Sequence, residues 1–252
     1  MSENNKPNFL EYINVYDFTC ELPGSKEQIQ FKPVTTGQIK KLLTYENETN
    51  YVVQEQALDD LISSSVLTEG FNIDEQYIYD RLFLLIEIRK KTKGEVLEFQ
   101  VKCPECSSQS LNRVDLNQLE IQQLENPENR IVDFENGVKV HLKHMKRRHQ
   151  KEDIKPQFFK KGMTNSQQAY MFQVAFHACA IDKIETPKGL DENISMKDRV
   201  FFIEQIPMHF MEKLRDEIDD MGFGWKLQNK IKCLHCQYEF IEDIPIQQNF
   251  FG

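Results

Sequence analysis

Two short cysteine motifs constrain this chain more than anything else in it: Cys103-Pro-Glu-Cys106 and Cys233-Leu-His-Cys236. A two-residue gap makes a turn tight enough to aim both thiolates at one point, and Zn²⁺ in a structural site takes four such ligands in a tetrahedron. The flanks agree with that geometry. Residues 95–102 (Glu-Val-Leu-Glu-Phe-Gln-Val-Lys) alternate apolar and polar as a strand does, and 107–116 read as the returning strand. Residues 229–232 and 237–241 repeat the plan around the second pair. Two hairpins that each carry a CxxC at the tip make a zinc ribbon. The separation is unusual, with 126 residues between Cys106 and Cys233, against roughly 15–20 in an ordinary ribbon. The expectation is a ribbon split by a large insertion, with Cys103, Cys106, Cys233 and Cys236 as ligands of one structural Zn²⁺. Two redox motifs, or two sites each completed by histidine, are the alternatives. A redox CxxC normally opens a helix after a strand, whereas strands flank both pairs here. His235 reads as a spectator, and Cys179, in an apolar helical stretch, as core; Cys20 has no partner at metal spacing. A site closed by four thiolates has no open coordination position, so it stabilises a fold without activating water.

Composition narrows the setting. The chain has 252 residues, 40% of them hydrophobic, and its 18 Phe and 8 Tyr supply large core side chains. Six cysteines are too few for a disulfide scaffold. No apolar run approaches the roughly 20 residues that cross a bilayer. The longest, 82–88, contains Glu87 and is stopped by Arg89, Lys90 and Lys91. The first residues lack the basic start and apolar run of a signal peptide, so a cytoplasm is expected and no membrane partner. A net charge of −9 argues against non-specific nucleic-acid binding. One stretch opposes that balance: residues 143–161 carry eight Lys or Arg against two acids. Its plain reading is a solvated helix face; a docking patch for an acidic partner is the alternative.

Along the chain, residues 14–34 alternate on both sides of Pro23-Gly24 and read as a hairpin. Thr35 and Thr36 offer a hydroxyl cap to a helix beginning near Gln38. Further helices are expected over about 52–64 and 74–91. In the second of these Ile78, Leu82, Leu85 and Ile86 share a face, and Gly94 is the stop. After a helical or irregular link at 116–124, residues 131–134 and 138–142 flank Glu-Asn-Gly as a hairpin. Helices are then expected at 151–160 (a weak pattern), 166–184, 195–205 and from Pro207 through Met221. The fold class that follows is α+β. An N-terminal hairpin plus helices occupies 1–94, a split zinc ribbon 95–116 and 226–246, and a mainly helical insertion 117–225.

Catalytic signatures are missing from the sequence: no phosphate-binding glycine loop, no GxSxG and no HExxH. His141 and His144 are an odd step apart and would face opposite sides of a strand. His149 lies in the basic run, and His177 reads as a core histidine. Glu212, Asp216, Asp219 and Asp220 repeat along one helix, but Lys213 and Arg215 among them mark an exposed face. The expectation is a protein that is not an enzyme.

Two blocks carry a family resemblance. The first comprises Leu22-Pro23-Gly24-Ser25, Ile29-Gln-Phe31-Lys32-Pro33 and Gln38-Ile-Lys-Lys-Leu-Leu43. The second is Tyr79-Asp-Arg-Leu-Phe-Leu-Leu-Ile-Glu-Ile-Arg-Lys-Lys-Thr-Lys-Gly94-Glu, which runs into the first cysteine pair. In this order they resemble the baseplate hub assembly proteins of T-even-like contractile-tailed bacteriophages, over about the first 115 residues; Lys32 departs from the arginine of the family pattern. The resemblance implies a tail baseplate hub assembly factor, chaperoning tape-measure or hub proteins in the host cytoplasm. A structural baseplate subunit of the virion tail and a zinc-ribbon nucleic-acid-binding protein are the alternatives. The run 143–161, Phe158-Phe159 and Phe201-Phe202 are the candidate docking elements, the phenylalanines being better read as core.

Overall fold

A computed structural model describes residues 16–45, 48, 50–125, 130–134, 137–154, 162–246 and 248–251. The N-terminal hairpin pairs β1 (Phe18–Glu21) with β2 (Gln28–Phe31). Alternation decides its inner face: Ile29 and Phe31 are buried while Gln28 and Gln30 stay in solvent. Asn14 and Val15, expected at its head, lie outside the described residues. Thr35 caps α1 (Thr36–Leu43) in a reciprocal box with Gln38, and Asn50 caps α2 (Tyr51–Ser65).

α3 (Ile78–Lys93) is the centre of the first core, and it differs from expectation in two ways. It starts later than Asp74. A 3₁₀ turn, Ile73–Glu75, comes first, and the chain then runs extended past residues 145–147. There the Ile78 amide donates to the Met145 carbonyl and the Arg147 amide to the Gln76 carbonyl. Nor does α3 present one apolar stripe: Phe83, Leu84, Leu85, Ile86 and Ile88 are all buried, as befits a helix surrounded by other elements. Gly94, at φ 92°, ends it where a side chain would be strained. The first cysteine hairpin follows as β3 (Val96–Lys102) and β4 (Gln109–Asp115), then a 3₁₀ turn and the short β5 (Ile121–Gln122).

The segment between the cysteine pairs carries a sheet as well as helices. It contains β6 (Arg130–Asp133), β7 (Lys139–Leu142), α4 (Arg147–Asp153), α5 (Asn165–Ala180), β8 (Ile181–Thr186), β9 (Gly189–Asp191), α6 (Met196–Gln205) and α7 (Met208–Asp220). The four strands form one antiparallel sheet, β6-β7-β8-β9. The helix expected to reach Ile184 stops at Ala180, and its last turn is instead the strand β8. Ile181 and Ile184 are three apart, a helical spacing that in a regular strand would send them to opposite faces. A register shift against β7 between His141 and Leu142 lets both be buried. Residues 135–136 of the expected Glu-Asn-Gly turn, and 155–160 of the weak helix, lie outside the described residues.

After α7 come β10 (Gly224–Trp225), β11 (Gln228–Lys232), β12 (Glu239–Asp243) and a C-terminal 3₁₀ turn, Gln248–Phe251. β10 pairs antiparallel with β5, Trp225 opposite Ile121, where the sequence suggested only a link. The chain therefore leaves for the insertion and returns from it side by side. Two hydrophobic cores result. One gathers Leu22, Phe31, Leu84, Leu116, Trp225 and Phe251. The other gathers Val140, Leu142, Ala178, Ile181, Leu214 and Ile218. No described helix is long and apolar enough to cross a membrane.

Candidate metal centre

The β5–β10 pairing explains how cysteines so distant in sequence meet. It sets the start of β11 near the end of β4, so the tips of the β3–β4 and β11–β12 hairpins face each other. Cys103 Sγ lies 3.7 Å from Cys236 Sγ, and Cys106 Sγ lies 3.6 Å from Cys233 Sγ. All four sulfurs fall within 4.8 Å of one another. These separations are far beyond the roughly 2.05 Å of a disulfide. They match the edge, about 3.8 Å, of a tetrahedron built on Zn–S bonds of about 2.3 Å. The donor set and its spacing therefore fit a closed tetrahedral cation. Cys103 and Cys233 are buried, and Cys106 and Cys236 exposed.

Both turns are built alike. The Cys103 amide donates to the Ser108 carbonyl (2.9 Å) and the Ser107 amide to the Cys103 carbonyl (2.9 Å). In the second loop Cys233 donates to Tyr238 (2.8 Å) and Gln237 to Cys233 (3.0 Å). Ser107 (φ 58°) and Gln237 (φ 63°) hold the same left-handed position. The N-terminal hairpin repeats this turn without cysteines: Leu22 donates to Glu27, Lys26 donates to Leu22, and Lys26 has φ 62°. In that loop the Asp80 carboxylate accepts the amides of Gly24 (2.7 Å) and Ser25 (2.8 Å). A concave turn of inward amides favours an anion. Asp80 supplies it in one loop, and thiolates are its counterpart in the other two.

Sequence reading overlooked Ser108. Its hydroxyl sits 3.0 Å from Cys106 Sγ and 3.4 Å from Cys233 Sγ, touching one thiol from each hairpin. This contact is the main cause that holds both thiols below their ordinary range, Cys233 at about 5. Cys236 moves the other way, to about 12: the Tyr238 amide lowers it, but desolvation at the turn and the Cys106, Cys233 and Cys103 thiols together outweigh that amide. Thiols this close cannot all ionise unless a cation balances them.

Elsewhere the histidines stay apart. His144 packs on Tyr77 and Phe223, the His149 Nδ1 accepts the Lys146 amide (3.1 Å), and His141 lies 3.7 Å from Glu185. Among the described residues the four cysteines are the only group of three or more donors placed to hold a metal. Glu212, Asp216, Asp219 and Asp220 are exposed along α7.

Part of the basic run is engaged inside the molecule. Arg147 is buried and donates to Asp59 (2.9 Å), which also accepts from Arg81 (2.5 Å) and Lys151 (3.2 Å). Lys146 and Arg148 pair with Glu75, and Lys143 with Asp182. Lys146, Arg147, Arg148 and Lys151 thus tie α4 to the first core, and Lys143 pairs with β8 just past the end of β7; Lys155, Lys160 and Lys161 lie outside the described residues, as do Phe158 and Phe159. Phe202 stacks on Phe134 as core, but Phe201 is 63% exposed, against expectation. Compared with known families, residues 14–252 match the model described as T4 bacteriophage base plate protein, a match that includes the insertion. No curated protein and no solved structure matches the chain.

Proposed function

The chain belongs to the T4 bacteriophage base plate protein family, and from that premise we propose that it is a baseplate hub assembly factor that holds tape-measure or hub proteins before the tail grows. The observation that carries this reading is the family match across 14–252, both cores and both cysteine hairpins included. Membership points to tail or baseplate proteins as partners and to association with the virion tail; a working site in the host cytoplasm is part of the proposal. Holding requires a stable scaffold and a docking surface, not a reaction, and we read the protein as having no catalytic role.

In the same reading the two cysteine hairpins are the halves of a split zinc ribbon. Cys103, Cys106, Cys233 and Cys236 would hold a structural Zn²⁺, which the four-sulfur donor set and its spacing support. Such an ion supplies cross-linking, not Lewis-acid chemistry. The residues themselves do the rest: the matched turns aim the sulfurs, and the Ser108 hydroxyl contacts one from each hairpin across the join.

A second reading has direct support in the family's description as a base plate protein: a structural subunit that stays in the virion. Affinity capture of the tagged protein from infected cells separates the two when paired with mass spectrometry of finished virions. Capture of tape-measure or hub proteins, with none of this chain in virions, is the result expected of the assembly factor. A fixed copy number in virions makes it a subunit. Capture of no tail protein, with none in virions, removes both.

A further inference from the structure

Away from the cysteine centre, an open groove of about 540 Å³ runs between α5 and the α6–α7 pair. Its floor is apolar, with Phe176, Ile206 and Met211 over the buried Val174 and Ile203. Its lips are apolar too: Tyr170 is 58% and Met208 69% exposed. The apolar surface outruns the groove, because Phe201 stands one turn before Glu204 on α6 and is itself exposed. A contiguous exposed patch of this kind marks an interaction site more often than inert surface.

Charge around the groove is one-sided. Glu204, Glu212 and Asp219 line it against Arg215 alone among the charged side chains. Partial desolvation against the groove wall raises the Asp219 carboxyl above its usual range although the residue is exposed; His177 and Arg215 oppose that shift, and Asp216 and Asp220 add to it. A cation arriving beside it would relieve that cost. A second copy of this chain would bring the same acidic rim, so like charges disfavour self-association through this face. A small ligand would leave Phe201 and the lips uncovered. A groove between helices with methionines in its wall suits a helix, since thioethers adapt to irregular apolar contacts.

We propose that this groove docks an amphipathic helix of another phage tail protein, its apolar face on Tyr170, Phe176, Met208 and Met211 and its Lys or Arg side chains paired with Glu204, Glu212 and Asp219. That the partner is a tail protein rests on the baseplate reading; the helix's chemistry rests on the groove. The test places a photo-crosslinking benzoylphenylalanine at Met208 and, separately, at Leu111 on β4 as a control, in the full chain in infected cells, and sequences the crosslinked peptides. The expected product at 208 is a tail-protein segment with apolar residues at helical spacing and basic residues between them. Its yield should fall at least about tenfold in Glu204→Lys/Glu212→Lys, whose exposed positions leave the melting temperature unchanged, and stay constant in Asp191→Lys. Crosslinks from 208 to residues 1–15, to a second copy, or to a segment without basic residues overturn the proposal, as does a yield indifferent to the charge reversal. Tail proteins crosslinked through 111 but not 208 would remove the groove and leave the baseplate role standing; none at either position would remove both.

Discussion

A single hydroxyl tests how the cysteine centre is held. The Ser108 hydroxyl lies within hydrogen-bond reach of a sulfur from each hairpin, and partners of metal ligands typically tune affinity by about 10–100-fold. Ser108→Ala should therefore weaken metal binding about tenfold in chelator competition, with its circular dichroism unchanged; an unaltered affinity would make the serine a bystander. Cys103→Ser or Cys233→Ser should do far more, lowering the melting temperature sharply, because metal-binding free energy is folding free energy. Native stability with full metal content in either variant would sink the shared four-thiolate site. Asp80 is the same argument without a metal. It is fully buried, and its two oxygens each accept an amide. Asp80→Asn turns one acceptor into a donor facing another donor, at a cost of about 1–3 kcal/mol in chemical denaturation. The four cysteines were legible in the sequence because a ligand spacing is a local pattern. Ser108 and Asp80 were not, because what each touches lies on a different element.

Among the elements, α4 shows how far a sequence pattern can mislead. Its cations read as a solvated face, yet Arg147 enters a buried cluster with Asp59, Arg81 and Glu55 that joins α4 to α2 and α3. Polarity on one helix says nothing of a carboxylate 88 positions away. Removing one member of a buried ion cluster strands the others, at about 3–5 kcal/mol. Asp59→Ala should lose that much, whereas Lys41→Ala, which breaks the exposed pair with Asp60, should lose under about 1 kcal/mol; equal losses would refute the buried weld. The strand β8 was misread for a related reason, since the spacing of Ile181 and Ile184 is helical and only the register shift against β7 makes both inward. On α5, burial lowers the His177 pKa below 6.5. A depressed histidine favours its neutral form in the fold, so its contribution is present above the unfolded value and is lost as pH falls through the folded one. The melting-temperature advantage of wild type over His177→Gln should therefore shrink between about pH 7.5 and about pH 5.5. A constant difference would mean that His177 titrates alike folded and unfolded.

At the scale of the whole molecule, the chain closes a long detour twice. The backbone pairing of β5 with β10 closes it at the neck, and the cysteine tips close it again beyond. Loop-closure cost grows only slowly with length, so once the neck is formed the second closure joins groups already side by side. The cysteine hairpins belong to the first core, through Val101, Val114 and Ile231, while α5, α6 and α7 pack in the second. Removing the metal should therefore act unevenly. A strong chelator should raise amide hydrogen exchange by about tenfold or more across β3, β4, β11 and β12, since the cysteine tips are where the two hairpins are tied to each other. Exchange in α5 and α7 should change far less, because their core contains no cysteine ligand. Loss of protection throughout, in one step, would instead mean that the two cores fold only together, with the Asp59 cluster and the neck coupling them too tightly for the hairpins to open alone. Protection unchanged in all four strands would show that the hairpins stand without a cation, and the structural role of the metal would fall.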